Sequence, residues 1–478
     1  MNIMPYILVV LIVVPFIGFL FALMARSSVN NQNKNVIQVA GFSVITNIFL
    51  LGYVLTKLDL TQKGLQYIAS HQWMDTPPIE LTLGVDVFSL MIILAVHVVF
   101  LICLPFNWTQ QKSKVLVSLS LLMLSMLTGF LLSADIFSFY IFFTAMLIPM
   151  FILIGTIGEI RKTSWMFRFF IYNFIGSVVL FIVVCALYHY EGQNDSILLS
   201  SVAKLRLSRK YEYWIWGGIF IALLSRIPIW PFHYWISSIM GYIQNPLLFL
   251  FINLIPLTGI YGFIRFCPKT VPESVSYMLT ILEIIAGISM LFISMIGLVH
   301  KDSRYKIFSY MTVYYIIFLL GAMLPTGKIL LNIGYSLFAF LIIVAALEVL
   351  SAYIKDEQQK NHLIMSGLLC RTPRLAFLYT FFVLAAVGFP LSALFVNNFV
   401  ILSYLFSYNF NMGVLIVLSM VISAASLLKE LYTLKDNQYI QPGSTCIEDI
   451  SIKAHLVLGG VACILIISLC NPLLVIGG

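Results

Sequence analysis

Fourteen long apolar segments alternate with short polar connections along the 478 residues of this chain. A helix needs about 20 predominantly apolar residues to cross the hydrocarbon core of a bilayer. Within that core only helices and closed barrels satisfy their backbone hydrogen bonds. The sequence therefore predicts an all-α polytopic membrane protein of about 14 transmembrane helices. The predicted spans are residues 4–25, 36–56, 83–105, 115–133, 136–155, 167–188, 214–231, 246–266, 277–299, 306–325, 329–354, 374–407, 412–428 and 454–475.

Composition excludes a soluble protein, because only 10% of the residues are charged and 61% are hydrophobic. Soluble domains carry about 25% charged residues. The net charge of +8 is interpreted as the excess of Lys and Arg that marks cytoplasmic loops. If both termini lie outside, in the periplasm or the intermembrane space, most of the Lys and Arg residues fall in the loops on the inner side of the membrane. No run of five basic residues occurs, so nucleic-acid binding is excluded.

The sequence contains no pattern that binds a redox cofactor, a nucleotide or a metal ion. GxGxxG, GxxxxGK[ST], HExxH and CxxC are all missing, and these motifs cradle phosphates or ligate metals. The longest predicted loops have about 25 residues, too few for a soluble cofactor domain. We therefore expect no cofactor, no metal site and no catalytic residue in this chain.

Proline and glycine predict interruptions in two of the helices, since both residues break regular helices. Gly388 and Pro390 lie inside the long twelfth span. Pro256 lies inside the eighth span, and a short segment, residues 236–244, precedes it. Pro228 and Pro231 lie at the end of the seventh span. We expect broken helices near residues 232–256 and 388–398.

Ionisable side chains at membrane depth are functional candidates, because placing a charge in the hydrocarbon core costs free energy. Arg226 lies inside the seventh span, flanked by apolar residues, and its guanidinium stays charged in proteins. Glu348 lies in the eleventh span, within two turns of Lys355, which is the alternative structural partner. Glu283 begins the ninth span and is interpreted either as an interfacial residue or as a proton-path residue. His97 is interpreted either as a hydrogen-bonded core histidine or as a relay.

Four further polar residues lie at helix ends or breaks. Asp86 and Asp135 precede apolar spans and are interpreted as helix N-caps, whose carboxylates accept backbone N–H bonds. Asn397 and Asn398 follow the predicted break in the twelfth span. Adjacent amides there either satisfy the broken backbone or bind water or an ion.

Several motifs make the chain resemble the antiporter-like membrane subunits of respiratory NADH:quinone oxidoreductase (complex I). Residues 226–235 (RIPIWPFHYW) are similar to the family motif KIPxxPFHxW. The segment from residue 83 to 90 resembles LGVDG(L/I)SL, and 142–150 resembles FFE(A/W)xLxPM. Residues 388–399 resemble GLPGxxGFxxEF. The resemblance covers residues from about 80 to 435 in order, and its best matches follow subunit M, called NADH dehydrogenase subunit 4 in mitochondria.

The resemblance implies two inverted five-helix repeats, helices 4–8 and 9–13, and a central path of proton-exchanging glutamates and lysines. This sequence departs from that path at four positions. The fifth-helix glutamate corresponds to Thr144, and the seventh-helix lysine to Arg226. The eighth-helix lysine corresponds to Leu257, and the twelfth-helix glutamate to Asn398. The eleventh-helix histidine has its ungapped counterpart near Phe340.

The combined prediction is a membrane-arm subunit resembling subunit M, in an assembly that couples proton translocation to NADH:quinone oxidoreduction. Its proton-path charges are largely replaced, which favours a non-conducting structural paralogue. An alternative is that protons still move along a substitute relay. Its candidates are Glu348, Glu283, His97 and water held by Asn397 and Asn398. The alternative is an Mrp-type monovalent cation/proton antiporter subunit. Expected partners are other membrane subunits and the lipid bilayer, and the redox groups are expected on those partner subunits.

The chain is predicted to divide into four parts. These are the amino-terminal helices (1–110), the first repeat (111–270), the second repeat (271–435) and a carboxy-terminal loop with the last helix (436–478).

Overall fold

A computed structural model describes the helical body of the protein. It covers residues 4–25, 34–59, 64–74, 79–107, 113–156, 162–191, 198–199, 208–243, 245–266, 276–324, 329–361, 368–390, 392–435, 449–450 and 452–469. The helices in the amino-terminal half are α1 Met4–Met24, α2 Lys34–Lys57, α3 Val87–Cys103, α4 Ser113–Leu132, α5 Ile136–Ala145, α6 Leu147–Gly155, α7 Lys162–Glu191, α8 Arg209–Leu224, α9 Tyr234–Ser237 and α10 Pro246–Phe266. Those in the second half are α11 Ser276–Val299, α12 Ser303–Met323, α13 Ile329–Asn361, α14 Leu368–Arg371, α15 Pro373–Val387, α16 Ala393–Tyr408, α17 Phe410–Lys435 and α18 Ile452–Leu469.

Ten helices of the described chain are long and apolar enough to cross a membrane. A joined α5–α6 unit counts as one of them. Four shorter apolar helices begin at Val87, Pro373, Ala393 and Ala454. Every predicted span therefore contains helix, and the predominantly helical membrane fold is confirmed. The number of fourteen crossings and the two inverted repeats stay predictions.

A two-stranded antiparallel hairpin departs from the all-α prediction. Strands β1 (Gln66–Met74) and β2 (Ile79–Val85) pair between α2 and α3. The outer strand β1 is largely exposed, while β2 packs against α4 and α5. The backbone N–H of Ala134 donates to the Thr82 carbonyl, so the hairpin is anchored where α4 ends and α5 begins.

The predicted break in the twelfth span is confirmed. Helix α15 ends at Val387, and Gly388 adopts φ +86°, a left-handed conformation that glycine accepts without steric cost. The Phe389 N–H donates back to the Leu384 carbonyl, which satisfies one of the orphan acceptors at the helix end. Pro390 lies in the turn, and α16 begins at Ala393.

The other interruption follows α8, and it contains Pro228 and Pro231 as predicted. The chain leaves helical geometry after Leu224, forms the short helix α9, and re-enters a long helix at Pro246. The side chain of Asn245 accepts from the N–H groups of Leu247 and Leu248 and so caps α10. Gln244, the last residue of the short segment that the sequence marked, lies outside the described residues.

The prediction that Pro256 breaks the eighth span is wrong, since α10 continues through it from Pro246 to Phe266. A proline inside a helix frees carbonyls on the preceding turn, and neighbouring groups in a membrane bundle can satisfy them. Here the Tyr315 hydroxyl donates to the Asn253 carbonyl at 2.7 Å. That hydrogen bond comes from α12 and is invisible in the local sequence.

The fifth span carries a break that the sequence analysis did not predict. Helices α5 and α6 meet at Met146, a turn residue that keeps right-handed helical angles (φ −61°, ψ −20°), so the break lies in the backbone hydrogen-bond ladder and not in the direction of the chain. Pro149 explains this position, because its missing N–H and its ring disturb the carbonyl of Ala145, four residues earlier. The break lies two residues after Thr144.

Four helices, α4, α10, α12 and α13, are buried over most of their length and form the centre of the bundle. Helix α10 packs against α3, α4, α8, α12 and α13. Helices α1 and α2 lie at the periphery and expose large apolar side chains.

Candidate functional site

Arg226 is fully buried and has no acidic partner among the described residues. Its Nη2 donates to the Phe143 carbonyl at 2.6 Å, and its guanidinium lies 4.0 Å from the centre of the Phe143 ring. Its Nε and Nη1 make no hydrogen bond in the described structure. The Phe143 carbonyl is in the last turn of α5, just before the break at Met146. A permanent charge is thus held by one carbonyl and one aromatic face.

The positions that correspond to the family's other first-half charges are uncharged in this chain. The Thr144 hydroxyl is buried and has no hydrogen-bond partner in the described structure. Leu257 is fully buried in α10. Neither side chain exchanges protons near neutral pH.

Glu348 is buried in α13 and pairs with Arg304, not with Lys355. The Nε of Arg304 lies 3.5 Å from Oε1 of Glu348, and the Ser351 hydroxyl donates to Oε2 at 3.3 Å. Lys355 instead lies 3.4 Å from Asp302, in a half-buried pair. Of the alternatives that the sequence left open for Glu348, an ion pair is what the structure shows, but with Arg304, which enters the bundle on the first turn of α12 and is the nearer cation.

A second buried ion pair lies beside the first and was missed by the sequence analysis. The Nζ of Lys306 is 3.8 Å from Oε2 of Glu430, and the Tyr379 hydroxyl donates to Oε1 at 2.8 Å. The thirteenth span was predicted to end at residue 428, but α17 continues to Lys435 and carries Glu430 into the interior. The apolar spacing of Leu427, Leu431 and Leu434, all buried, is the signal that extends this helix.

Together these pairs form an inner charge cluster at one end of the second half. It joins α12, α13 and α17, contains equal numbers of positive and negative side chains, and is linked to α15 through the Tyr379 hydroxyl. Its members are Asp302, Arg304, Lys306, Glu348, Lys355 and Glu430. Arg304, Lys306, Glu348 and Glu430 are buried.

Apolar groups separate Glu348 from the rest of the bundle centre on the side of α10. A cavity of about 10 Å³ adjoins its carboxylate and is lined mainly by apolar side chains of α10, α12 and α13, with Cys103 and Asn253 at its edge. A cavity needs about 10–15 Å³ to hold one water. This cavity therefore accommodates at most a single water molecule.

The two replaced positions of the second half meet at one tyrosine. The Asn398 amide donates to the Tyr314 hydroxyl at 3.2 Å, and the Phe340 ring stacks on the Tyr314 ring with centroids 5.4 Å apart. Phe318 and Tyr315 pack edge-on against Phe340. Rings therefore occupy the space where the resemblance implies titratable groups. Asn397 donates to the Ala393 carbonyl of its own helix, so this amide binds backbone.

His97 and Glu283 lie apart from these clusters. Nε2 of His97 is 3.0 Å from the Asn47 amide, and its Nδ1 is 2.8 Å from the Ile93 carbonyl. Both ring nitrogens are thus occupied by neutral groups. Glu283 is partly exposed on α11 and bonds to the side chains of Tyr408 and Asn409.

Asp86 and Asp135 are helix N-caps, as predicted. Asp86 accepts from the Ser89 N–H and also binds Arg265 of α10 through two parallel hydrogen bonds of 2.8 and 2.9 Å. Burial raises the pKa of Asp86, but the charge and hydrogen bonds of Arg265 outweigh this and hold that pKa below its ordinary value. Asp135 accepts from three backbone N–H groups, those of Phe137, Ser138 and Thr82.

Within the described ranges, no group of three His, Cys, Asp or Glu side chains is arranged to hold a metal ion. The expectation that this chain carries no cofactor stays a prediction.

Comparisons with known proteins place these features in a family context. Residues 133–423 match the sequence profile of the family described as "NADH:quinone oxidoreductase/Mrp antiporter, TM". The chain is 25% identical over 422 residues to NADH-quinone oxidoreductase subunit M of Rhodobacter capsulatus, covering 84% of this chain and 81% of the relative. It is also 25% identical over 430 residues to NADH-ubiquinone oxidoreductase chain 4 of Arabidopsis thaliana, covering 87% and 83%.

Two solved structures share the fold over nearly the whole chain. A chain of respiratory complex I from Thermus thermophilus superposes with a TM-score of 0.80 at 20% identity, covering 96% of this chain and 95% of that one. A chain of the Mrp complex from Dietzia sp. DQ12-45-1b superposes with a TM-score of 0.78 at 17% identity, covering 99% and 96%.

Proposed function

The chain belongs to the NADH:quinone oxidoreductase/Mrp antiporter family of membrane proteins, and from that premise we propose that it is a non-conducting membrane subunit resembling subunit M. It occupies a place among the other membrane subunits of an assembly related to NADH:quinone oxidoreductase. The redox groups of that assembly belong to other subunits. Both termini face the periplasm or the intermembrane space.

One observation carries the non-conducting assignment: Arg226 is a buried cation without an acidic partner in the described structure. A proton relay needs groups that gain and lose protons near neutral pH. The guanidinium stays protonated, and its surroundings supply only a carbonyl and an aromatic ring. A relay through the first half therefore has neither a donor nor an acceptor at this point.

The second half supports the same proposal. Its buried acids Glu348 and Glu430 are held in ion pairs at one end of the bundle, and the rings around Tyr314 and Phe340 fill the space beyond them. Buried ion pairs fix the relative positions of helices, and breaking one costs about 3–5 kcal/mol. We assign the inner charge cluster a structural role, in which it ties α12, α13 and α17 together for assembly, with α15 joined through the Tyr379 hydroxyl.

The test compares neutralisation of one partner with neutralisation of both. Glu348→Gln leaves the Arg304 charge buried and unpaired, so we expect less assembled complex in the membrane. The double variant Arg304→Gln/Glu348→Gln removes both charges, and we expect it to restore assembly. In inverted membrane vesicles, protons pumped per electron should equal the wild-type ratio in the double variant.

A reduced proton-to-electron ratio in the assembled double variant would refute the structural role, because it would place the Glu348 pair on a proton path. Ser351→Ala is the matched control, since it removes the hydrogen bond to Glu348 but keeps both charges. It should retain both assembly and the pumping ratio.

The alternative function is an Mrp-type monovalent cation/proton antiporter subunit, supported by the family description and by the fold shared with the Mrp chain. It predicts that a pH gradient across vesicles containing the chain and its partners dissipates on addition of Na⁺ or K⁺, without NADH. In the first half, Thr144, Arg226 and Leu257 replace the proton-exchanging residues that the resemblance implies. Their absence argues against cation/proton antiport as it argues against proton pumping.

A further inference from the structure

The small cavity beside Glu348 lies where the second half of the bundle meets two helices of the first half. Its volume is about 10 Å³, and its lining side chains come from α3, α10, α12 and α13. Cys103, the last residue of α3, and Pro246, the first residue of α10, both line it. Every lining side chain among the described residues is buried, so the cavity lies in the interior of the bundle.

Three polar side chains interrupt the apolar lining, and each comes from a different helix. They are the Glu348 carboxylate of α13, the Asn253 amide of α10 and the Cys103 thiol of α3. An internal cavity with wholly apolar walls stays dry, whereas a buried water is retained where about two to four polar groups bind it. The polar groups of this cavity therefore suit one bound water molecule.

One oxygen of the Glu348 carboxylate makes no hydrogen bond within the described part of the chain. Oε2 accepts from the Ser351 hydroxyl, but Oε1 has no donor there. The Nε of Arg304 lies 3.5 Å from Oε1, which is longer than the roughly 2.7–3.2 Å of an N–H···O hydrogen bond. A buried carboxylate oxygen without a donor costs free energy, so Oε1 favours a donor in the adjoining cavity.

The Asn253 amide is oriented by its own helix. Its Nδ2 donates to the Phe249 carbonyl at 2.7 Å. A carbonyl only accepts hydrogen bonds, so this contact fixes which end of the amide is nitrogen and which is oxygen. Oδ1 is therefore an acceptor at the other end of the amide. The two hydrogens of a water molecule match the two acceptors, Oε1 of Glu348 and Oδ1 of Asn253, and its oxygen can accept from the weakly donating thiol of Cys103.

We propose that one water molecule is bound in this cavity and bridges Glu348 to Asn253, with Cys103 as its third partner. A metal cation does not fit, because only two of the lining side chains carry oxygen, whereas Mg²⁺ and Ca²⁺ take about six or more oxygen ligands. The charge of Glu348 is also balanced already by Arg304.

The bridging water extends the inner charge cluster beyond the helices that carry its ion pairs. Glu348 belongs to the second predicted repeat, Asn253 to the first, and Cys103 to the amino-terminal helices. The water thus joins all three parts by hydrogen bonds in a region where the remaining contacts are apolar. The proposal does not depend on whether the chain conducts protons.

Cryo-electron microscopy of the assembled complex, at a resolution that shows ordered water, tests the proposal directly. We expect a density peak in the cavity within hydrogen-bond distance of Glu348 Oε1 and Asn253 Oδ1. A cavity without density overturns the proposal. A peak surrounded by about six oxygen atoms identifies a cation and overturns it as well.

Two variants remove the water in different ways. Asn253→Leu replaces the acceptor of α10 with an apolar side chain of similar size, and Val344→Ile extends an apolar lining residue into the cavity. The peak should be lost from both maps, and Val344→Ile decides the matter if Asn253→Leu does not assemble. A peak that persists in either assembled variant contradicts the bridge.

Asn397→Leu is the matched control. Asn397 is also a buried asparagine whose Nδ2 donates to a carbonyl of the preceding turn, that of Ala393, but it does not line the cavity. The control should keep the density peak of the wild type. Loss of the peak in this variant too would show that the density does not depend on Asn253, and it would overturn the proposal.

Discussion

Arg226 carries a charge that the protein surrounds almost entirely with apolar atoms. Its contacts are one carbonyl and one ring of Phe143. Transfer of a cation out of water costs several kcal/mol, and a cation–π contact returns only about 2 kcal/mol when desolvated. This residue therefore destabilises the chain unless a group outside the described structure reaches it.

Arg226→Met tests that balance. Methionine has a similar length and no charge, so we expect the free energy of unfolding to rise by about 1–4 kcal/mol. Thermal unfolding of the detergent-purified chain measures the effect. Arg226→Lys keeps the charge and is the control that should show no gain. A lower melting temperature in the methionine variant would mean that Arg226 has a stabilising partner that the described residues do not include.

At the scale of elements, the breaks in the helices follow from backbone chemistry at particular residues. Gly388 ends α15 with positive φ, and Pro149 explains the break at Met146. Pro256 carries the same chemical signal without breaking α10, and the Tyr315 hydroxyl of a neighbouring helix donates to the Asn253 carbonyl on the preceding turn. A local signal thus sets where a helix can break, and the neighbouring helices decide whether it does.

Gly388→Ala should destabilise the fold by about 1–2 kcal/mol, because a Cβ in the left-handed region clashes with the backbone. Thermal unfolding is again the measurement. Gly52→Ala is the matched control: Gly52 lies inside α2 with open space around it, and alanine there should be neutral or stabilising by about 0.5–1 kcal/mol. Equal losses in the two variants would contradict a specific role for the positive φ.

At the scale of the whole molecule, two sets of charges join distant segments. The inner charge cluster connects helices of the second half, while the Asp86–Arg265 pair connects the start of α3 to the end of α10. Arg265 also donates to the Tyr261 hydroxyl. The pair therefore ties the amino-terminal helices to the first predicted repeat.

Asp86→Asn should lower stability by about 3–5 kcal/mol, since it leaves the Arg265 guanidinium buried and unpaired. Asparagine remains a good N-cap, so loss of the ion pair is the main effect. Because the pKa of Asp86 is held below its ordinary value, its contribution is present at neutral pH and is lost as the pH falls below about 4. The difference in melting temperature between wild type and variant should accordingly shrink in acid. A difference that stays constant down to pH 3 would contradict this account.

The sequence by itself predicted the membrane environment, the helices, the break at Gly388 and the caps at Asp86 and Asp135. Each of these depends on residues within a few positions of one another, because helices and caps close their hydrogen bonds locally. It also indicated that Arg226 and Glu348 lie deep in the membrane, since an apolar span of about 20 residues is a local property, but it missed the buried charges of Arg304, Lys306 and Glu430.

Only the tertiary structure decided which side chains meet. It paired Glu348 with Arg304 instead of Lys355, and Glu430 with Lys306. It left Arg226 without an acidic partner in the described structure. It also placed Asn398 and Phe340 in contact with the same residue, Tyr314. These contacts join residues on different helices, and they depend on the rotation and depth of each helix. Packing of the whole bundle sets both quantities, so no single span of sequence contains them.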